Sequence, residues 1–233
     1  MTDLALRSAI IDAGRRMNEA GLNQGTAGNI SARAGDGLLV TPSGVEYQVM
    51  QPGDIIAMGW DGGWSAQGSD RRPSSEWRFH RDILRQRPDI GAILHAHAPF
   101  STALACLRKD IPAFHYMVAV AGGNIIKCST YATFGTEALS EAALEALGER
   151  NACLLANHGL IACADSPAAA LALAVAVEAL AAQYMRALGV GEPQLLDDAE
   201  MQRVLEKFAA GYGYASEPES EPESGRESEP DDD

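Results

Sequence analysis

Two histidines separated by a single residue give the sharpest chemical signal in the sequence. His95 and His97 fall in a predicted strand over residues 90–97, where side chains at positions i and i+2 point to the same face. Neighbouring imidazoles are a common way to hold a divalent metal, and zinc takes three or four nitrogen, oxygen or sulfur ligands. A pair of hydrogen-bonded structural histidines explains this motif equally well, so a metal site requires further ligands.

Two more residues could complete such a site. His158 lies in a loop between short apolar strands predicted at 153–157 and 160–164. Glu76 lies in the first turn of a helix predicted over residues 74–86, where the helix dipole alone would favour an acid. Three histidines and one carboxylate together predict an open metal site, whose acid can leave the metal and act as a base.

Two loops are suited to phosphate. The segment GTAGN at residues 25–29 offers backbone N–H groups, a hydroxyl and an amide, and its glycines permit close approach. Ser74 and Ser75 lie at a predicted helix N-terminus, where unpaired N–H groups and the helix dipole favour an anion. Taken singly, these loops are more typical of a plain turn and a helix cap.

Composition and charge exclude several classes of function. The 233 residues are 46% hydrophobic and 21% charged, which is typical of a globular protein able to bury a large core. The net charge of -14 argues against nucleic acid or an anionic membrane as the main partner, because both reward positive surface. Residues 216–233 repeat Ser, Glu and Pro and carry -8 of that charge. We therefore expect a single domain over residues 1–215, followed by a disordered acidic tail.

Nothing in the sequence predicts export or membrane insertion. The N-terminus has an acid at Asp3 and lacks an uninterrupted apolar core, unlike a signal peptide. The longest apolar run, residues 167–177, meets Glu178 too early to span a bilayer. The four cysteines show no C-x-x-C spacing and are expected to be reduced. These features predict a cytoplasmic protein.

Alternating helix and strand signals predict a layered α/β domain. Apolar residues at helical spacing predict further helices over residues 4–20, 99–107, 167–188 and 199–209. Short apolar runs predict strands at 29–33, 38–41 and 55–58, with turns at 34–37 and 61–63. Periodicity leaves the order and direction of the strands open.

Seven motifs in order resemble the class II, zinc-dependent aldolase and adducin family that includes bacterial L-fuculose-1-phosphate aldolase. They are GLNQGTAGNIS, TPSG, PSSEWRFH, HAH, FHYMVAVAGGN, YATFGT and NHGLIAC, and the resemblance extends from Leu4 to about Tyr212. It implies a three-layer α/β/α fold with a central mixed, mostly antiparallel sheet. It also implies reversible cleavage of a ketose 1-phosphate to dihydroxyacetone phosphate and an aldehyde. The substrates implied are L-fuculose 1-phosphate or a 5-deoxy or 5-methylthio form of ribulose 1-phosphate.

The resemblance assigns a role to each matched residue. One Zn²⁺ per subunit, or Mn²⁺ or Co²⁺ in its place, would be held by Glu76, His95, His97 and His158. Glu76 would also serve as the catalytic acid and base. Tyr116, from a neighbouring subunit of a homotetramer, would act on the hydroxyl of the departing aldehyde. Seven residues are expected to bind the substrate phosphate: Thr26, Gly28, Asn29, Ser43, Gly44, Ser74 and Ser75.

The aldehyde end of the pocket departs from the family pattern. Phe134 and Tyr212 are expected there, but the spacing from Phe208 to Tyr212 is one residue longer than in the family, and Tyr214 competes for the same role. Ser43 stands where the fuculose enzyme carries threonine, and the hydroxyl is kept. The departure at the C-terminus leaves the identity of the sugar open.

Three alternatives share part of this pattern. Relatives resembling pentulose-phosphate 4-epimerases carry aspartate at the position of Glu76, which favours an aldolase here. Methylthioribulose-1-phosphate dehydratases differ around the HAH motif, and product analysis separates them from aldolases. A non-enzymatic, adducin-like binding domain lacks the three histidines, and metal content distinguishes that class.

Overall fold

Seven short strands form one sheet in which every pair of neighbours is antiparallel. The computed structural model describes residues 3–65 and 70–211. The strands are β1 Asn29–Ala34, β2 Gly37–Val40, β3 Ile56–Gly59, β4 Trp64–Ser65, β5 Ala92–Ala96, β6 Ala152–Leu155 and β7 Gly159–Ala164. Their order is β4-β3-β2-β1-β5-β7-β6. The predicted sheet is confirmed as mostly antiparallel, and within these ranges its parallel component is a single bridge between Cys128 and Leu154.

Helices cover both faces of this sheet. They are α1 Asp3–Glu19, α2 Trp77–Gln86, α3 Pro99–Cys106, α4 Glu137–Leu147, α5 Pro167–Val190 and α6 Asp198–Ala209, with 3-10 helices at Pro52–Asp54 and Tyr116–Ala121. The helices α1, α3 and α5 pack on one face, α2 and α4 pack on the other, and α6 packs on the second 3-10 helix. The predicted three-layer α/β/α architecture is confirmed.

The interior strand β5 is buried on both faces. Leu94 and Ala96 join the core beneath α1, α3 and α5, whereas Ile93 joins the core beneath α2 and α4. Because side chains alternate along a strand, His95 shares the face of Ile93 and points toward α2, where its ring meets Phe79 edge-on. The sheet thus places His95 on the face that is covered by α2, next to Glu76.

Two element boundaries near the site differ from the predictions. Helix α2 begins at Trp77, three residues later than predicted, because residues 74–76 form a turn in which the Trp77 N–H donates to the Ser74 carbonyl. Strand β5 ends at Ala96, so His97 lies one residue beyond the strand. Glu76 therefore lies just before a helix and His97 just after a strand, where their side chains can turn toward a common point.

Helix α4 was not predicted, although its signals are present in the sequence. The Thr136 hydroxyl accepts a hydrogen bond from the Leu139 N–H and caps the helix. Leu139, Ala143 and Leu147 follow at helical spacing and are buried against the sheet.

Helix α5 is long and apolar enough to cross a membrane by length and composition. On that criterion the expectation that no segment could do so is wrong, since the helix continues past Glu178 to Val190. The helix packs against α1, α3, β5 and β7, and residues such as Leu171, Ala174 and Val177 are buried. This packing is that of a core helix.

A carboxylate in the middle of α5 caps the start of α3. The Glu178 Oε1 atom accepts a hydrogen bond from the Phe100 N–H at 2.7 Å, and Oε2 accepts one from the Ser101 N–H at 2.8 Å. Ala98 at the N-cap of α3 has no side-chain acceptor, so Glu178 satisfies N–H groups that otherwise lack partners at a helix start. Since α3 follows His97 directly, this cap also anchors the chain that carries His97.

We predict that Glu178→Ala lowers the free energy of unfolding by about 2 kcal/mol, because a hydrogen bond to a charged group contributes about 1.5–3 kcal/mol. Glu178→Gln keeps one acceptor oxygen and should lose about half as much. Urea unfolding followed by circular dichroism measures both. The matched control is Glu141→Ala at an exposed position of α4, and an equal loss in that control would contradict the capping role.

Candidate metal centre

All four predicted metal ligands converge on one point. One ligand atom from each of Glu76, His95, His97 and His158 lies within 4.8 Å of the others. The Nε2 atoms of His95 and His97 are 3.0 Å apart. Glu76 Oε2 lies 3.3 Å from His95 Nε2, and Oε1 lies 3.2 Å from His158 Nε2.

The tautomer of His95 leaves a lone pair pointing into this cluster. Its Nδ1 atom lies 2.9 Å from the carbonyl oxygen of Leu160. A carbonyl can only accept, so Nδ1 carries the proton and Nε2 is left as a ligand atom. Burial, with the neighbouring His158 and His97, lowers the pKa of His95 well below its usual value. Burial and His158 also lower the pKa of His97, although Glu76 raises it. Neutral imidazole is the form that binds a metal.

The buried carboxylate supports the same interpretation. Among the residues that the structure describes, Glu76 Oε1 has no hydrogen-bond partner, and the residue is only 7% exposed. Burying a carboxylate oxygen without a partner is costly, and a cation between Oε1 and the three ring nitrogens would remove this cost. The side chain makes no hydrogen bond that caps α2, so the helix-dipole explanation for an acid here is not the one that the geometry favours. The cluster fits a divalent metal ion.

An asparagine that was not predicted fixes the backbone at His97. The Asn23 Oδ1 atom accepts a hydrogen bond from the His97 N–H at 2.7 Å, and its Nδ2 donates to the Ala27 carbonyl. Gly28, at φ +69°, lies so close to this asparagine that an added Cβ would be 1.9 Å from Nδ2 and 2.6 Å from the His95 carbonyl oxygen. Only glycine fits there, and the loop is thereby held against the strand that carries the ligands.

The cluster opens into a cleft of about 390 Å³. Glu76, His97 and His158 are among the residues that line it. The same cleft is lined by every residue that was predicted to bind phosphate: Thr26, Gly28, Asn29, Ser43, Gly44, Ser74 and Ser75. The two candidate sites recognised in the sequence are therefore one continuous site, although the phosphate role itself stays a prediction.

The residues predicted to bind phosphate offer neutral hydrogen-bond donors. The Ser43 N–H already donates to the Arg72 carbonyl and the Ser74 N–H to the Thr41 carbonyl, so these serines present their hydroxyls. No lysine or arginine is among the described residues that line the cleft. An anion bound here would be held by hydrogen bonds and not by a side-chain cation.

The remaining predicted residues lie in three different places. Phe134 lines the cleft and is 65% exposed, next to the unpredicted Tyr131 at 56%. Tyr116 is not among the residues lining the cleft, and lies in a second groove with Phe114 and Phe208. Tyr212, Tyr214 and the tail over residues 216–233 lie outside the described residues. The proposed contribution of Tyr116 to a neighbouring subunit stays a prediction.

A strained residue precedes His158. Asn157 has φ +54°, its N–H donates to the Ala105 carbonyl, and its Oδ1 accepts a hydrogen bond from Arg108 Nε at 3.2 Å. Asparagine adopts this left-handed conformation more readily than most residues. The end of α3 therefore fixes the turn that points His158 toward the cluster, a role that the sequence analysis did not assign to Asn157.

Three imidazoles and a carboxylate at a cleft that also contains the predicted phosphate loops are typical of a metal-dependent enzyme site. Residues 8–185 match the family described as Class II Aldolase and Adducin N-terminal domain, and the chain belongs to this family. A 5-methylthioribulose-1-phosphate/5-deoxyribulose-1-phosphate aldolase from Rhodospirillum rubrum is 58% identical over 210 residues, which are 90% of this chain and 93% of the relative.

Two further aldolases are similar to this chain. An L-fuculose phosphate aldolase from Escherichia coli is 46% identical over 213 residues, which are 91% of this chain and 97% of the relative. A solved structure of an L-fuculose 1-phosphate aldolase matches with a TM-score of 0.85 and 39% identity, covering 90% of this chain and 98% of the other. The predicted family and the predicted class of enzyme are confirmed.

We predict that Asn157→Val destabilises the protein by about 1–3 kcal/mol, because a β-branched residue is strained at positive φ. The same substitution should weaken metal binding about tenfold, since the His158 ring is no longer held in place. Asn157→Gly accepts the φ angle and should bind the metal nearly as well as the parent. Thermal unfolding and chelator competition measure these effects. Asn124→Val, at an asparagine of negative φ, is the control, and equal effects in it would contradict this role.

Proposed function

We propose that the protein is a metal-dependent aldolase that cleaves a ketose 1-phosphate to dihydroxyacetone phosphate and an aldehyde. The observation that carries the proposal is that Glu76 and two histidines of the candidate metal cluster share a cleft with the loops that were predicted to bind phosphate. The names of the Rhodospirillum rubrum and Escherichia coli relatives state this type of reaction. The four-ligand cluster argues against a non-enzymatic, adducin-like domain.

The ligand set supports one Zn²⁺ in each subunit. Three imidazole nitrogens and one carboxylate match the ligands and the coordination number that zinc prefers. When bound, the zinc supplies fixed positive charge as a Lewis acid beside the substrate carbonyl. Metal analysis of the purified protein separates zinc from Mn²⁺ and Co²⁺.

Two protein side chains would transfer the protons that the reaction requires. Cleavage between C3 and C4 turns C4 into the aldehyde, so the C4 hydroxyl loses a proton and C3 gains one. Glu76 lies in the cleft and its Oε1 makes no hydrogen bond to a described residue, and we assign to its protonated form the delivery of the proton to C3. Tyr116 of the partner subunit would accept the proton of the C4 hydroxyl.

Assembly is part of this proposal. Tyr116 is not among the residues lining the cleft of its own chain, which supports a homotetramer with active sites between subunits. Residues 1–215 would form the catalytic unit, with 216–233 as an acidic tail outside it. Phosphorylated sugar substrates support a cytoplasmic location.

The substrate proposed first is a 5-deoxy- or 5-methylthio-ribulose 1-phosphate. The aromatic rings of Tyr131 and Phe134 lie at the cleft and are largely exposed, so an apolar end of the sugar would find apolar surface. The Rhodospirillum rubrum relative, at 58% identity, is named for these substrates. L-fuculose 1-phosphate is the second candidate, because the Escherichia coli relative, at 46% identity, is named for it.

A coupled assay for dihydroxyacetone phosphate tests the function and the role of the metal. We expect product from a 5-deoxy- or 5-methylthio-ribulose 1-phosphate, loss of activity after dialysis against a chelator, and recovery on adding Zn²⁺. An epimerase or a dehydratase would consume sugar without releasing dihydroxyacetone phosphate. Full activity with metal shown to be absent would contradict the proposal.

We also predict that Glu76→Gln keeps substantial metal but lowers kcat about 100-fold or more, because the amide keeps an oxygen ligand but cannot transfer a proton. Metal content is measured beside turnover. Glu145→Gln, at an exposed position of α4, is the matched control. Turnover of Glu76→Gln close to that of the control would refute the assignment.

A further inference from the structure

Four buried side chains form one hydrogen-bonded chain that ends on the catalytic acid. The Ser31 Oγ and His80 Nδ1 atoms are 2.7 Å apart, and His80 Nε2 lies 2.5 Å from Asn29 Oδ1. Asn29 Nδ2 donates to Glu76 Oε2 at 2.9 Å. Ser31 and His80 are completely buried, and Asn29 and Glu76 are 5% and 7% exposed.

The fold brings these residues together on one face of the sheet. Asn29 and Ser31 are two residues apart on β1, so their side chains share that face. Glu76 immediately precedes α2 and His80 lies in its first turn, and both side chains contact this strand pair. His80 bridges both strand residues.

The donors and acceptors along this chain can be assigned from its charged end. A carboxylate only accepts, so the Asn29 Nδ2 group must face Glu76 and its Oδ1 must face His80. His80 Nε2 therefore carries the proton, and Nδ1 accepts from the Ser31 hydroxyl. Burial lowers the pKa of His80 to about 3, which keeps the ring in this neutral form.

We propose that His80 is a positioning residue for Glu76: it orients the Asn29 amide so that its N–H holds Oε2 and leaves Oε1 directed at the histidine cluster. Oε2 lies 2.9 Å from the Asn29 donor and 3.3 Å from His95 Nε2, whereas Oε1 has no hydrogen bond to a described residue and lies 3.2 Å from His158 Nε2. The Asn29 amide thus fixes one oxygen of the carboxylate, and the other oxygen is left without a hydrogen bond inside the cluster. The inference rests on the proposed function only for the catalytic consequence, since the same geometry also governs metal binding.

A packing role is the alternative interpretation of His80. Its ring stacks on Phe79 with centroids 4.5 Å apart, and any residue of similar size would serve that purpose. Packing predicts that an apolar replacement and a hydrogen-bonding replacement behave alike. Positioning predicts that only a replacement with an N–H donor works.

The test compares His80→Gln with His80→Met in the full-length protein. The glutamine amide keeps an N–H donor for Asn29 Oδ1, whereas methionine has similar length and no donor. We expect His80→Met to lower kcat and Zn²⁺ affinity about tenfold or more each, with KM within about threefold of the parent. His80→Gln should stay within about threefold in all three quantities. Thermal unfolding of both variants reports the loss of packing separately.

A second pair covers the case in which both His80 variants fail to fold. Ser31→Ala removes the hydroxyl at the far end of the chain. Ser140→Ala removes an equally buried hydroxyl that donates to Asp82 Oδ2 at 2.7 Å, away from the site. We expect similar losses of stability, but a decrease in kcat and in Zn²⁺ affinity of about threefold or more only for Ser31→Ala.

Two results would overturn the inference: equal kcat and Zn²⁺ affinity in His80→Met and His80→Gln, or equal values in Ser31→Ala and Ser140→Ala. Competition with a chromogenic chelator measures Zn²⁺ affinity without substrate. Failure of the aldolase proposal, seen as absence of product in the parent, is thus distinguishable from failure of the positioning inference.

Discussion

The structure depends on one electrostatic constraint: a carboxylate and three imidazoles are held within 4.8 Å of one another in a site where Glu76 and His95 are buried. Lone pairs that face one another at 3.0–3.3 Å are unfavourable unless a proton or a cation lies between them. Burial also favours the neutral forms of His95 and His97, because it lowers the pKa values of both. The site is built to accept a positive charge that the protein does not itself carry.

The surrounding elements hold this arrangement before any ligand arrives. Leu160 fixes the tautomer of His95, Asn23 fixes the backbone of His97, and the end of α3 fixes the turn before His158. Such partners of metal ligands commonly change metal affinity or activity by about 10–100-fold when removed. Because β5 and β7 pair in the interior of the sheet, shifts of the candidate ligands would require the core to repack.

Much of this site could be predicted from the sequence because its signals are local. His95 and His97 follow from a two-residue period, and Ser74, Ser75 and the 25–29 loop follow from turn and cap chemistry. The direct partners of these residues could not be predicted in the same way. Asn23 meets His97, and His80 meets Asn29, across 74 and 51 positions of sequence, and no periodicity reports such a pair before the strand order is known.

The error in the predicted start of α2 also arises from contacts between segments that are distant in sequence. Pro73 and the serines after it indicate a helix start at residue 74, but the Ser43 and Ser74 N–H groups pair with the backbone of neighbouring segments, which delays α2 until Trp77. Glu76 is thereby placed before the helix, where its side chain is free to turn toward the histidines. Local propensity was enough to predict helix α2. Hydrogen bonds to neighbouring segments determined where it begins, and so placed Glu76 before its first turn.

The cleft carries little positive charge of its own. The residues predicted to bind phosphate are hydroxyl-bearing side chains, an amide and glycines, and no lysine or arginine is among the described lining residues. Neutral donors orient an anion without adding a competing positive charge. The positive charge in the cleft would then come from a metal bound by the histidine cluster, and fixed charge near the reacting atoms contributes most to catalysis. A lysine on the phosphate loops would strengthen binding of substrate and product alike, and uniform binding does not raise kcat.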